Sequence, residues 1–233
     1  MTTIRVKFTK EEDLKYISHL DLMRLFQRAF RRANIPIKYS QGFNPHPKFS
    51  LATALPLGVT SDGEYMDIEL EKEINTKTFI DDLNSVLPKG IRILKASYVD
   101  GKKSLMSLIR WSTYIVEFNI KEDLANDIVE NSINSILNKD KILITKTKRK
   151  RNKVIERKID IRKYIKDIML LIKEGKKIII KTTLKTGSQG NLKPNVILDL
   201  LQEYGNLKID CDNIKIHRLE LFIEHNEKVV TPI

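Results

Sequence analysis

Two imidazoles, His19 and His46, share one stretch, residues 18–50, with an aspartate, a row of arginines and a proline-stiffened loop. Imidazole titrates near neutral pH, so His19 and His46 suit the acid and base of a metal-independent RNA cleavage, with Asp21 orienting His19. The same stretch also suits plain binding. Arg24, Arg28, Arg31 and Arg32 would then neutralise phosphates, Lys48 would add a further cation, and Asn44 and His46 would read something local. Pro45 and Pro47 fix the chain on either side of His46 and present it at little entropic cost. A metal triad of His19, Asp21 and His46 requires the loop to fold back on the preceding helix, and His217 and His225 belong to the other half of the chain; no metal and no cofactor is expected.

The elements that hold these residues follow from spacing. Ser18 is a good helix N-cap, with Asp21 three residues on in the manner of a capping box. Leu22, Phe26, Ala29, Phe30 and Ala33 recur every three or four residues as a buried stripe, and the arginines recur at the same spacing on another face. The helix stops near Asn34 to Pro36, because proline disfavours helical geometry in the residue before it. Ile4-Arg5-Val6-Lys7-Phe8 alternates as a half-buried strand does, residues 35–39, 49–52 and 64–70 read as extended, Asn75 or Thr76 caps a helix carrying Phe79, Ile80, Leu83 and Leu87, and residues 91–99 read as a strand. The order is βαββαβ, a ferredoxin-like arrangement with helices on one face of an antiparallel sheet.

Residues 109–233 repeat that order with an insertion. Residues 113–120, 142–144, 176–184 and 214–224 read as strands, residues 122–137 and 195–204 as helices, and Ile161, Tyr164, Ile165, Ile168 and Leu171 fit a further short helix. The expected organisation is therefore α+β: two tandem ferredoxin-like domains, 1–100 and 109–233, joined by a linker at 101–108.

Net charge is +12. Residues 1–100 carry 15 basic against 13 acidic side chains, while residues 101–233 carry 27 against 17. The densest block includes Lys148, Arg149, Lys150, Arg151 and Lys153, the footprint expected of a chain that meets several phosphates. Gly187, Ser188, Gly190 and Lys193 precede a helix and form a candidate anion-binding loop, although Gly-Lys-Ser/Thr is absent and a tight turn explains the glycines equally well. No central strand carries the aromatic run on which RNA-recognition sheets stack bases. The chain holds a single cysteine, Cys211, which excludes an intrachain disulfide or a cysteine-held cluster. No apolar run reaches the roughly twenty residues of a membrane helix and no signal-peptide pattern opens the chain, so a cytoplasmic location is expected.

Four segments together carry a resemblance: Ser18-His19-Leu20-Asp21-Leu22-Met23-Arg24, Arg28-Ala29-Phe30-Arg31-Arg32-Ala33, Ser40-Gln41-Gly42-Phe43-Asn44-Pro45-His46-Pro47-Lys48 and Ala54-Leu55-Pro56-Leu57-Gly58-Val59. They closely resemble the uncharacterised radical-SAM-linked protein family, whose members are fused behind a radical-SAM enzyme or encoded beside one. The resemblance implies a radical-SAM enzyme as partner; lacking clustered cysteines, this chain is not that enzyme. The sequence reading is a non-catalytic accessory protein that presents RNA, tRNA or rRNA, to a separately encoded radical-SAM enzyme. The alternatives are an endoribonuclease using His19 and His46, and a protein–protein adaptor that binds no RNA.

Overall fold

The computed structural model describes residues 2–100, 103–150, 153–225 and 228–233. Gly101 and Lys102 of the expected linker, and Arg151 of the basic block, lie outside the described residues. The fold is mixed α+β, with a large, mostly antiparallel sheet and helices. In chain order the elements begin with β1 (Thr2–Lys10), α1 (His19–Arg32), β2 (Phe49–Leu51), β3 (Thr60–Leu70), α2 (Thr76–Val86), β4 (Ile93–Val99), α3 (Leu105–Leu108) and β5 (Ile109–Ile120). They continue with α4 (Asn126–Leu137), β6 (Leu143–Lys150), β7 (Lys153–Asp160), β8 (Ile165–Glu174), β9 (Lys177–Lys185), α5 (Asn195–Glu203), β10 (Ile209–His225) and β11 (Lys228–Val230). They form two compact units, one of residues up to Ser112 together with His217–Ile233, the other of Thr113–Ile216. The expected second domain ran unbroken to residue 233; in the structure its closing segment belongs to the first unit.

In the first unit, β1 pairs antiparallel with both β3 and β4, β2 lies beside β3, and β10 joins β3 in parallel. Ile4, Val6 and Phe8 are fully buried against the α1 stripe of Leu22, Phe26, Ala29 and Phe30. Phe8 meets Phe26 edge-on at 5.0 Å between ring centroids, and Phe30 meets Phe49 edge-on at 5.2 Å. Helix α2 is capped by Asn75, whose Oδ1 accepts from Lys77 N at 2.9 Å and Thr78 N at 3.2 Å. The alternation in β1 suggests that Arg5 and Lys7 face water. Arg5 is instead only 4% exposed, because Leu105 of α3, Leu221 of β10 and neighbouring Ala52, Tyr65 and Ile109 build a second small core.

In the second unit the strand order is β10-β5-β9-β8, and β6 and β7 form a separate two-stranded sheet. The short helix expected around residues 161–171 is strand β8, preceded by a 3-10 turn at Arg162–Tyr164. Irregularities between Ile165 and Asp167 and between Leu170 and Ile172 explain the misreading. A bulge adds a residue to one strand, so inward-facing Ile165 and Ile168 fall three apart and imitate a helical interval.

Candidate nucleic-acid interface

Helix α1 starts at the expected cap. Ser18 Oγ accepts from Asp21 N at 3.1 Å and donates to Asp21 Oδ2 at 2.7 Å. Arg24 Nη1 donates to Asp21 Oδ1 at 3.2 Å, so both carboxylate oxygens are engaged and neither is turned to His19. The Ser18 hydrogen bond, followed by Arg24, holds the Asp21 carboxyl below the usual carboxylate range. Because the apolar stripe anchors the opposite side, Arg24, Arg28, Arg31 and Arg32 stand exposed. Arg28, Arg31 and Arg32 form no ion pair among the described residues. His19 is likewise exposed at the first turn.

The loop after α1 is closed at its base. Ile37 bridges Leu70, Tyr39 bridges Pro47, Lys48 N donates to Lys38 O at 2.7 Å, and Ser40 N donates to His46 O at 2.9 Å. His46 N in turn donates to Ser40 Oγ at 3.0 Å. Backbone bonding thus pins both sides of the loop while Asn44, His46 and the ring of Phe43 stay exposed. Gly42 at the tip has φ +132°, a conformation that suits glycine. Lys48 leaves the loop half-buried, 3.5 Å from Glu69 Oε2.

In the second unit Lys148, Arg149 and Lys150 lie on β6 and Lys153 on β7, where register pairs Lys148 with Ile155 and Lys150 with Lys153. The basic block is therefore the far end of a hairpin. The glycine loop before α5 has Gly187 at φ +108° and Gly190 at φ +154°, and a Cβ at Gly190 would stand 3.1 Å from the Tyr164 ring. Gly190 N donates to Gly187 O, Val196 N to Lys193 O and Ile197 N to Pro194 O. Those N–H groups serve the turn itself, while Ser188 and Lys193 remain exposed.

The polar layer that sequence reading missed lies in the first unit. Arg5 donates to both oxygens of Asp67, at 2.7 and 2.9 Å, and Lys7 Nζ lies 2.6 Å from Glu220 Oε2. Tyr65 Oη donates to Glu220 Oε1 at 2.8 Å, and burial, reinforced by Glu220, pushes that phenol far above its ordinary range. Arg218 Nη1 lies 2.8 Å from Glu64 Oε1. His217 has Thr60 Oγ1 at 2.8 Å from Nδ1 and Asp62 Oδ2 at 3.1 Å from Nε2. The sole available signal was the polar half of the alternation in β1 and β3, which reads the same whether it faces water or a second layer. No group of three or more metal-ligating side chains occurs among the described residues, and none of their helices is long and apolar enough to cross a membrane.

The family described as "Uncharacterized protein conserved in bacteria (DUF2344)" matches residues 3–194. No curated protein shows a significant match to the chain. Among solved structures, a Cbf5-Nop10-Gar1 complex contains a chain similar at TM-score 0.51 and 12% identity, over 92% of this chain and 47% of that one. An archaeal box H/ACA sRNP Nop10-Cbf5 complex gives TM-score 0.47 at 10% identity over 92% and 46%. An H/ACA RNP bound to a substrate RNA containing 2'-deoxyuridine gives 0.45 at 11% over 93% and 46%. The chain spans about half the length of these solved chains, and at such identities the likeness to the first is one of fold.

Proposed function

Taking as premise that the chain belongs to the DUF2344 family of uncharacterised proteins conserved in bacteria, we propose that it is a non-catalytic RNA-binding protein. The observation that carries this reading is the face of α1 on which Arg28, Arg31 and Arg32 stand exposed without an acidic partner among the described residues. A helix whose far side is buried holds the roots of those side chains at fixed spacing, which suits a row of phosphates. Arg24 extends the row, and the pinned loop with Asn44, His46 and Lys48 supplies groups beside it. The hairpin bearing Lys148, Arg149, Lys150 and Lys153 is read as a second backbone contact in the other unit, with Arg151 of the same basic block included on its sequence alone. The glycine loop at Gly187 to Lys193 is left outside this surface, since Gly190 N donates to Gly187 O and Leu192 N to Lys185 O.

The imidazoles are read as contact groups rather than an acid–base pair, because Asp21 is engaged by Ser18 and Arg24. Each unit is read as ferredoxin-like: β4-β1-β3-β2 in the first, and β10-β5-β9-β8 with an inserted hairpin in the second. The partner, a separately encoded radical-SAM enzyme to which tRNA or rRNA is presented, rests on the resemblance of residues 18–59 alone.

The test is salt-dependent RNA binding by the wild type and by Arg28→Glu/Arg31→Glu. Each lost phosphate contact lowers the slope of log affinity against log salt by about 0.7 to 0.9, so the double variant should flatten the slope by roughly 1.5 and bind at least tenfold more weakly at low salt. Unchanged slope and affinity in a folded variant would remove α1 from the interface, and salt-independent or absent binding by the wild type would overturn the reading.

A further inference from the structure

On the opposite face of the first unit's sheet from α1 and α2 lies a cleft of about 400 Å³. Its floor follows from strand register. Thr3 stands opposite Glu69 and Arg5 opposite Asp67 between β1 and β3, and Ser50 of β2 stands opposite Asp67. Side chains alternate along a strand, so Thr3, Ser50, Asp67 and Glu69 share the face turned away from Phe8 and Phe26. Lys48 borders the cleft from the end of the pinned loop, and Lys103 and Ser104 border it just ahead of α3.

The two carboxylates differ. Asp67 is engaged by both arms of the Arg5 guanidinium. Glu69 is not: its Oε2 is the buried side-chain atom that finds no hydrogen-bond partner among the described residues. Lys48 Nζ, at 3.5 Å, offsets its charge without donating a hydrogen bond. A buried acceptor left unmet is unfavourable, and any donor brought to it gains correspondingly. Oε2 itself is buried, but the Glu69 side chain as a whole is 28% exposed, so a group entering the cleft meets the carboxylate from the side of its other oxygen.

What fits must bring a hydrogen-bond donor to Glu69 and negative charge to Lys48 and Lys103, with polar groups for Ser50 and Ser104. A phosphodiester group alone brings charge but no donor, and it is repelled by Glu69. A stacked base needs an aromatic wall, and Phe49, at the edge of the cleft, turns its ring to Phe30 on the other face. A ribose hydroxyl with its adjoining phosphate meets the whole set, since the 2′-OH both donates and accepts. We infer that this cleft seats one ribose–phosphate unit of the RNA backbone, with Glu69 accepting from the 2′-OH and Lys48 and Lys103 against the phosphate. The inference rests on the RNA-binding reading and deepens it: the arginine face of α1 supplies attraction to any nucleic acid, and the Glu69 cleft selects RNA over DNA.

The experiment compares a single-stranded RNA pool with the DNA pool of the same length and base composition, bound to the full chain at fixed salt. The wild type should prefer RNA by about tenfold, the worth of one hydrogen bond to a charged group. Glu69→Ala should abolish that preference, so that the two pools bind with equal affinity. Glu69→Gln holds the side-chain volume and serves if the alanine variant misfolds; its neutral oxygen should leave a preference of about threefold. Equal affinity of the wild type for both pools, or a preference that survives both substitutions, would overturn the cleft while leaving the nucleic-acid surface in place. Failure of both pools to bind would overturn both.

Discussion

Replacing Glu64 by glutamine strips the acid from a buried pair in which Arg218 Nη1 lies 2.8 Å from Glu64 Oε1, with side chains 2% and 5% exposed. A second cation feels the same carboxylate. Lys10 is buried, with Nζ donating to Ile17 O at 3.1 Å; desolvation draws its ammonium below the ordinary lysine range, and the charge of Glu64 opposes that shift. Glu64→Gln therefore removes the negative charge that both cations feel, whereas Arg218→Met leaves Glu64 still compensated by Lys10. Breaking one partner of a buried pair costs about 3–5 kcal/mol. The asymmetry puts Glu64→Gln near the upper figure, about 5 kcal/mol, and Arg218→Met near the lower, about 3 kcal/mol. At about 2–4 °C per kcal/mol for a chain of this size, melting should fall by roughly 10–20 °C and 6–12 °C respectively. Urea denaturation of both single variants and of Glu64→Gln/Arg218→Met reads this directly, with the double variant losing less than the sum of the singles. A larger loss for Arg218→Met than for Glu64→Gln, or strict additivity, would refute the reasoning.

Two further outcomes follow from local geometry. Gly63 packs so closely on β10 that an added Cβ would stand 2.6 Å from Glu220 Cα and from Leu219 O; Gly63→Ala should destabilise the first unit by about 1–3 kcal/mol, and a wild-type denaturation midpoint would contradict that contact. Asp160 Oδ1 accepts from Ile142 N at 3.1 Å and Arg162 N at 3.0 Å, and these backbone donors hold its carboxyl below the usual range. Because the folded value is the lower one, its contribution is complete above the unfolded value of about 3.9 and is lost as pH falls through the folded value. Asp160→Ala should therefore lower stability near about pH 7, with the difference from the wild type shrinking as pH falls below the usual carboxylate range, and equal stability of the two proteins at neutral pH would show the cap to be idle.

Local rules carried far in some segments and failed where a second layer intervened. Ser18 and Asn75 announced α1 and α2, because a cap and an apolar stripe depend on neighbours three or four residues away. The exposed arginines of α1 were legible for the same reason. Arg5, Glu64, Tyr65 and Asp67 were not, since their partners, among them Glu220 and Arg218, lie far along the chain, and alternation does not say what covers the polar face. Glu69 was hidden likewise: the cleft exists only once β1, β2 and β3 are in register. In β8 the bulges broke the period of two on which strand reading depends.

That the first unit is completed by His217–Ile233 bears on how the chain is made. Synthesis delivers β1 to β4 early, but Glu220 and Arg218 arrive only after all of Thr113–Ile216 has emerged. Until then Lys7, Tyr65 and Glu64 lack the partners they hold in the finished protein, and the loop to be closed is long, which makes closure slow. The second unit, continuous in sequence, is free to fold first. A nascent chain stalled before β10 thus carries Lys7 on its earliest strand without the carboxylate that pairs it in the finished protein.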